Sequence, residues 1–283
     1  MPTLRLDRLA TRGLFHPLAR MRNGQRGARV PILMYHSVAE SSGPVRHPYY
    51  DINTTPQLFA QQMCWLRQQG YRSVSLAQAL RLIHEGRRAD KAVVITFDDG
   101  YRDFLTTAYP ILAENEFTAT VFLVAGRTGK ELNGRACLSW DEARRLHAQG
   151  VEFGSHTATH PELKRLEWAE VEREVSESQD AIEQELGAPV RAFSYPYAFP
   201  ETNREFTRRL RELLVKCGYD HGVSTILGTA GSESDPYFLP RLPVNSGDDP
   251  ALLQAKLEGG YDWLHSLQYW LKMAKAQFSF QRS

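Results

Sequence analysis

Short apolar runs alternate with longer amphipathic stretches from about Pro31 to about Val244. The segments Pro31 to Tyr35, Tyr71 to Ser75, Ala92 to Phe97, Ala119 to Val124, Val151 to Gly154, Ala192 to Tyr195 and Gly222 to Ile226 have the length and apolar character of buried strands. Ala92 to Phe97, rich in β-branched residues, is the strongest of them and predicts a strand covered on both faces. The intervening segments carry helix punctuation. Thr55 caps and Pro56 opens a helix that Gly70 ends. A second helix runs from Leu76 to about Glu85, and a third follows the Ala92–Phe97 strand through Leu112. Ser139 caps one that stops at Gly150, a long polar one runs from about Leu166 to Leu186 before Gly187, and another covers about Asn203 to Cys217. Such alternation predicts an α/β fold with a parallel sheet and helices outside it. About seven units in this length predict closure into a TIM-like barrel rather than an open sheet. Beyond the barrel, Asp262 to Lys275 reads as an amphipathic packing helix with Trp263, Leu264, Leu267, Trp270 and Leu271 on one side.

Composition narrows the function classes. The 283 residues carry a formal net charge of +1, so no general electrostatic attraction to nucleic acid is expected. The odd and widely spaced Cys64, Cys137 and Cys217 suit neither a disulfide framework nor a thiolate zinc site. No segment has the roughly 20 apolar residues of a membrane span, and the start of the chain lacks the apolar core of a secretory signal. A cytoplasmic location is therefore expected. Charge is concentrated at the start, in Arg5, Arg8, Arg12, Arg20, Arg22, Arg26 and Arg29. This divides the chain into a basic arm over 1–28, a barrel over 29–248 and a helical extension over 249–283. The arm reads as a frayed polar tail, or alternatively as a contact with an anionic membrane surface or a polysaccharide-synthesis complex.

In a parallel α/β barrel, chemistry collects just past the strand carboxyl ends. Asp98-Asp99-Gly100 follows the strongest strand. Adjacent carboxylates repel unless a cation relieves them, so one reading gives one carboxylate to a metal and its neighbour to a water; the other is a plain turn. After Val151 to Gly154, His156 and His160 stand four apart, and one helical turn there would aim both rings at a shared ion. His36 follows the first strand, as a core histidine or a general acid. Tyr195-Pro196-Tyr197 follows another, as a rigid turn or a site where the Tyr197 backbone N–H meets an oxyanion.

Thr96-Phe97-Asp98-Asp99-Gly100-Tyr101 resembles the first motif of the polysaccharide deacetylase family, carbohydrate esterase family 4. His156-Thr157-Ala158-Thr159-His160 resembles its second motif, Pro196-Tyr197 the end of its third and Ser139-Trp140-Asp141 its fourth. The resemblance spans about Ile32 to Val244 and implies a distorted (β/α)7 barrel. It also implies a hydrolase that removes acetyl groups from an acetylated sugar or polysaccharide. In that scheme Asp98 is the general base acting on a water at the metal, and Asp99, His156 and His160 hold Zn2+ or another divalent transition metal. Tyr197 contributes to the oxyanion hole, and Trp140, Tyr197 and Tyr101 contact the sugar.

Two positions depart from the family pattern. Its fifth-motif histidine is absent, and Leu239-Pro240-Arg241-Leu242-Pro243-Val244 stands in its place. The opening Leu33-Met34-Tyr35-His36-Ser37 instead resembles a circularly permuted branch that includes poly-N-acetylglucosamine deacetylases, which implies His36 as the general acid. The arginine expected two residues before Pro-Tyr is Ser194, and Arg241 is the candidate substitute that orients the base. Rival readings keep the metal but cleave another amide or ester, or make the chain a non-catalytic saccharide binder.

Overall fold

A computed structural model of the chain describes residues 6–22, 27–40, 51–86 and 91–280. The chain begins with helix α1 (Leu6–Ala10), a π turn (Thr11–Phe15) and α2 (His16–Arg22). Then follow β1 (Ile32–Tyr35), β2 (Ser37–Val38), β3 (Asn53–Thr54), α3 (Pro56–Gln68), β4 (Arg72–Ser73), α4 (Leu76–His84) and β5 (Ala92–Phe97). A π turn over Phe104–Ala108 leads into α5 (Tyr109–Glu114), and β6 (Thr120–Leu123) comes next. The remainder is β7 (Glu131–Leu132), β8 (Arg135–Ala136), α6 (Trp140–Ala148), β9 (Glu152–Ser155), α7 (Trp168–Leu186), β10 (Ala192–Ser194), α8 (Arg204–Cys217), β11 (His221–Leu227), β12 (Leu239–Pro243), α9 (Pro250–Leu257) and α10 (Trp263–Phe280).

Seven parallel strands close in the order β1-β12-β11-β10-β9-β6-β5, with β5 returning to β1 at Ile32↔Val94 through Tyr35↔Phe97. Strand β4 joins the start of β5 at Arg72↔Ala92. The side-chain period of two explains the packing. One parity of the strands, with Leu33, Tyr35, Ile95, Phe97, Val121, Leu123 and Phe193, packs with the helices in the large core. The other parity, with Ile32, Val94, Phe122, Ala192, Val223 and Leu239, fills the barrel together with Leu76, Ala79 and Ile83 of α4. Phe122 fits because β9 has Gly154 opposite, where a Cβ would lie 2.6 Å from the ring.

The capping signals act as expected. Thr55 accepts from the Leu58 N–H with Pro56 at the first helical position, and Ser139 forms a capping box with Glu142. Gly187 ends α7 in the left-handed conformation at φ 64°. Two readings need correction. The first is the basic arm, which is not frayed over residues 6–22 but helical and packed on α9 and the start of α10. Asp7 and Thr11 are buried, and the Phe15 ring stacks on Trp263 at 4.5 Å. The second is the boundary at 248, because Leu253 and Leu257 of α9 belong to the large barrel core. On α10, Trp263 and Leu264 touch the core, whereas Leu267 and Trp270 are exposed, and the Leu271 side chain lies outside the described residues.

Candidate active site

The same parity that fills the barrel raises polar side chains at its upper end. Counting by twos from Ile32, Val94, Ala192 and Leu239 reaches His36, Asp98, Ser194 and Arg241. Arg241 is fully buried, and each of its five N–H donors has an acceptor nearby. Nη1 donates to Asp98 Oδ1 at 2.8 Å and Thr96 Oγ1 at 3.2 Å. Nη2 donates to Asp98 Oδ2 at 2.7 Å and Ser194 Oγ at 3.1 Å, and Nε to the Ser224 carbonyl at 2.9 Å. Ser194 Oγ in turn donates to Asp98 Oδ1 at 3.2 Å. Burial alone would raise the Asp98 carboxyl. The charges of Arg241 and His156, the Arg241 hydrogen bonds and then His36 outweigh it and hold the group well below its ordinary value. The fork geometry also fixes both oxygens in one plane. On the open side, His36 Nε2 lies 4.0 Å from Asp98 Oδ2.

Asp99 belongs to the opposite parity, yet it reaches the same mouth because its backbone turns left-handed at φ 71°, with Gly100 following at φ 64°. Its Oδ1 lies 3.6 Å from His156 Nε2 and 3.4 Å from His160 Nε2, and the three ligand atoms fall within 4.8 Å of one another. Asp99 Oδ1 is buried with no hydrogen-bond partner among the described residues. A buried carboxylate oxygen facing two imidazole nitrogens is costly unless a cation is shared among them, so this donor set fits a transition metal. His156 Nδ1 is 2.8 Å from the Ser194 carbonyl, a contact that orients the ring and leaves Nε2 turned toward Asp99. Burial and then His156 lower the His160 imidazole to about 4, so it presents a neutral lone pair near pH 7.

The histidine pair does not form the expected helical turn. Thr157 and His160 both adopt left-handed conformations, at φ 68° and 66°, and bring the rings to 4.8 Å centroid separation. Tyr197 is likewise left-handed at φ 58°. Among the described residues, four of the seven non-glycine residues with positive φ are thus Asp99, Thr157, His160 and Tyr197. Each costs about 1–3 kcal/mol, which is the usual mark of a functional site.

The Tyr197 ring is exposed and lies 4.6 Å from His160, and its backbone N–H has no acceptor among the described residues. Trp140 opens α6, where it lines a hollow of about 300 Å3 with Gly126 and with Ala158 of the histidine loop. Tyr101 requires a correction. It is 1% exposed, packed against Val124, Leu132 and Cys137, and cannot form a groove wall. Its hydroxyl sits beside Asp99, and burial followed by that charge raises it above its ordinary value. The sequence also marks Ser41 to Asn53 as a plausible groove loop, and residues 41–50 of it lie outside the described residues.

Residues 85–222 match the family model described as polysaccharide deacetylase. Over this stretch the chain is similar to the polysaccharide deacetylase family. The chain is 29% identical to YxkH of Bacillus subtilis, named as a polysaccharide deacetylase, over 83% of this chain and 78% of that one. It is 32% identical to the poly-β-1,6-N-acetyl-D-glucosamine N-deacetylase of Escherichia coli over 44% of this chain, a match spanning 20% of that relative. Among solved structures, it resembles the Streptococcus pyogenes deacetylase PplD in complex with acetate, with a TM-score of 0.69 and 26% identity over 82% of this chain and 99% of that one.

Two features of the site escaped sequence reading. Ser194 registered only as the place of a missing arginine, although period-two counting from Ala192 aims it inward. The β7–β8 hairpin, whose Asn133-Gly134 turn is the strongest short-range hairpin signal, also went unread. Its Arg135 guanidinium lies over the Tyr101 ring at 5.7 Å.

Proposed function

We propose that the chain hydrolyses N-acetyl groups on a polymer of N-acetylglucosamine. The observation that carries this reading is the paired arrangement of the two aspartates. Asp98 is buried, ionised and clamped by Arg241, and Asp99 shares a partnerless oxygen with His156 and His160. The relatives named for poly-N-acetylglucosamine supply the substrate class.

Asp99, His156 and His160 would hold a divalent transition metal, zinc suiting two imidazoles and one carboxylate. When bound, such an ion polarises a carbonyl oxygen and makes water more acidic. Asp98 takes the proton from the attacking water, and Arg241 keeps that carboxylate ionised and aimed. The Tyr197 N–H donates to the oxyanion as the acetyl carbon becomes tetrahedral. His36, on the other side of Asp98, hands a proton to the departing amine. Trp140 offers a flat apolar face for a neighbouring sugar ring.

The test is acetate release from N-acetylglucosamine oligomers, with metal stripped by a chelator and zinc then restored. Release that stops on chelation and returns with zinc is the expected result. Bound zinc without acetate would assign the site to another amide or ester, and failure to bind any metal would overturn the hydrolytic reading.

A further inference from the structure

The segment 6–22 is built inside out for a surface helix. Its inward face carries Asp7, Thr11, Phe15 and Ala19, spaced by four, and the π turn over Thr11–Phe15 keeps that spacing on one side. This face is tied down by specific bonds. Tyr261 Oη donates to Asp7 at 3.2 Å, Trp263 Nε1 donates to Thr11 Oγ1 at 3.1 Å, and His16 Nε2 lies 2.8 Å from Glu258. Arg8 pairs with Asp249, the N-cap of α9. The orientation is therefore fixed, and the leucines face out: Leu6, Leu9, Leu14, Leu18 and Met21 are 68%, 59%, 54%, 39% and 80% exposed. Soluble proteins normally place such a stripe against the core.

These side chains do not belong to a scattered background. Among the described residues nine large apolar side chains are exposed, and seven of them lie on this segment or on α10, where Leu267 and Trp270 are 47% and 71% exposed. The two segments meet at the Phe15–Trp263 stack. Charge then selects the occupant. The first 30 residues contain seven arginines and one acidic residue, Asp7, which is buried, whereas the whole chain has a net charge of only +1. Arg12 and Arg20 are exposed on the same segment as the leucines, the Arg20 Nε lying 3.5 Å from Glu258. A neutral or acidic protein surface gains from the leucines alone or the arginines alone. A bilayer with anionic headgroups gains from both, since acyl chains take the leucines while phosphates take the guanidinium groups. No helix among the described residues is long and apolar enough to cross a membrane, so contact would lie in the interfacial plane.

We infer that the helical segment 6–22 is a docking face for an anionic lipid bilayer, holding the barrel against a membrane surface. This inference is independent of the deacetylase chemistry and uses none of its residues. It is tested by sedimenting the full chain with phosphatidylcholine vesicles that contain or lack phosphatidylglycerol. Binding to the anionic vesicles, weak binding to the neutral ones and release by high salt are expected. The exposed double variant L9E/L18E should lose at least about ten-fold in partitioning, with an unchanged melting temperature. R12E/R20E should lose about five-fold per arginine on anionic vesicles alone. Failure to pellet with either vesicle, equal binding to both, or binding that L9E/L18E leaves intact would overturn the proposal. So would wild-type self-association in sedimentation velocity that L9E/L18E abolishes in the absence of lipid binding, because a second copy would then cover the stripe.

Discussion

Asp98 and Arg241 are joined by two buried hydrogen bonds, and their roles separate under mutation. Asp98→Asn keeps the volume but removes the carboxylate proposed as the base. Deacetylation should fall by about 10²–10⁴-fold while metal content, measured by atomic emission, stays unchanged. Arg241→Lys keeps the charge but loses the two-pronged fork. Arg241 is what depresses the Asp98 carboxyl against the effect of burial, so weakening it lets that pKa rise. The ionised base then disappears at a higher pH, and the acid limb of the kcat/KM profile should move to higher pH than in the wild type. An acid limb that stays in place would assign that limb to another group.

At the scale of elements, the site depends on loops that only glycine lets approach one another. A Cβ on Gly126 would lie 2.7 Å from the carbonyl oxygen of Ala158, inside the loop that carries His156 and His160. Gly126→Ala must therefore push that loop aside, because a backbone atom has no rotamer into which to retreat. Zinc affinity in a competition titration should drop about 10- to 100-fold, the range seen when groups supporting a ligand are disturbed. Gly129, at φ 74° but with nothing within 4 Å, serves as the contrast: Gly129→Ala strains the backbone yet should leave zinc affinity nearly unchanged.

Across the whole molecule, stability should depend on pH through a residue remote from the chemistry. His221 opens β11 and is 7% exposed; burial lowers its imidazole from 6.5 to about 4. The unfolded chain therefore binds this proton more readily than the folded one. Stability is full above about pH 6.5 and is lost as pH falls from there to about 4, by about 3 kcal/mol from this group. Urea melts of wild type and His221→Gln over that window should show a shallower decline in the variant. Parallel curves would remove His221 from the account.

The local readings succeeded where the physics is local. Thr55-Pro56, Ser139 and Gly187 mark helix ends through contacts within a few residues, and the Ala92–Phe97 run needed no partner to be read as a buried strand. Positions just past strands pointed to His36, Asp98, Asp99, His156 and His160, and the family resemblance alone pointed to Arg241. The left-handed turns at Asp99, Thr157 and His160 were not legible, because non-glycine residues reach them only when surrounding contacts force it. Burial decided the fate of Tyr101: its motif position suggested a sugar contact, and the packing of Val124, Leu132 and Cys137 closed it off.

The sequence by itself determined the alternation, the barrel and the order of the site residues, since side-chain period and capping act over short stretches of chain. Only the tertiary structure decided which arginine meets Asp98, a partner 143 positions away, and that the Asp99 oxygen is left facing two imidazoles. It also decided which face of the first helix is buried. Its leucines would have chosen the core, but hydrogen bonds from Tyr261 and Trp263 to Asp7 and Thr11, more than 250 residues apart, turned them outward.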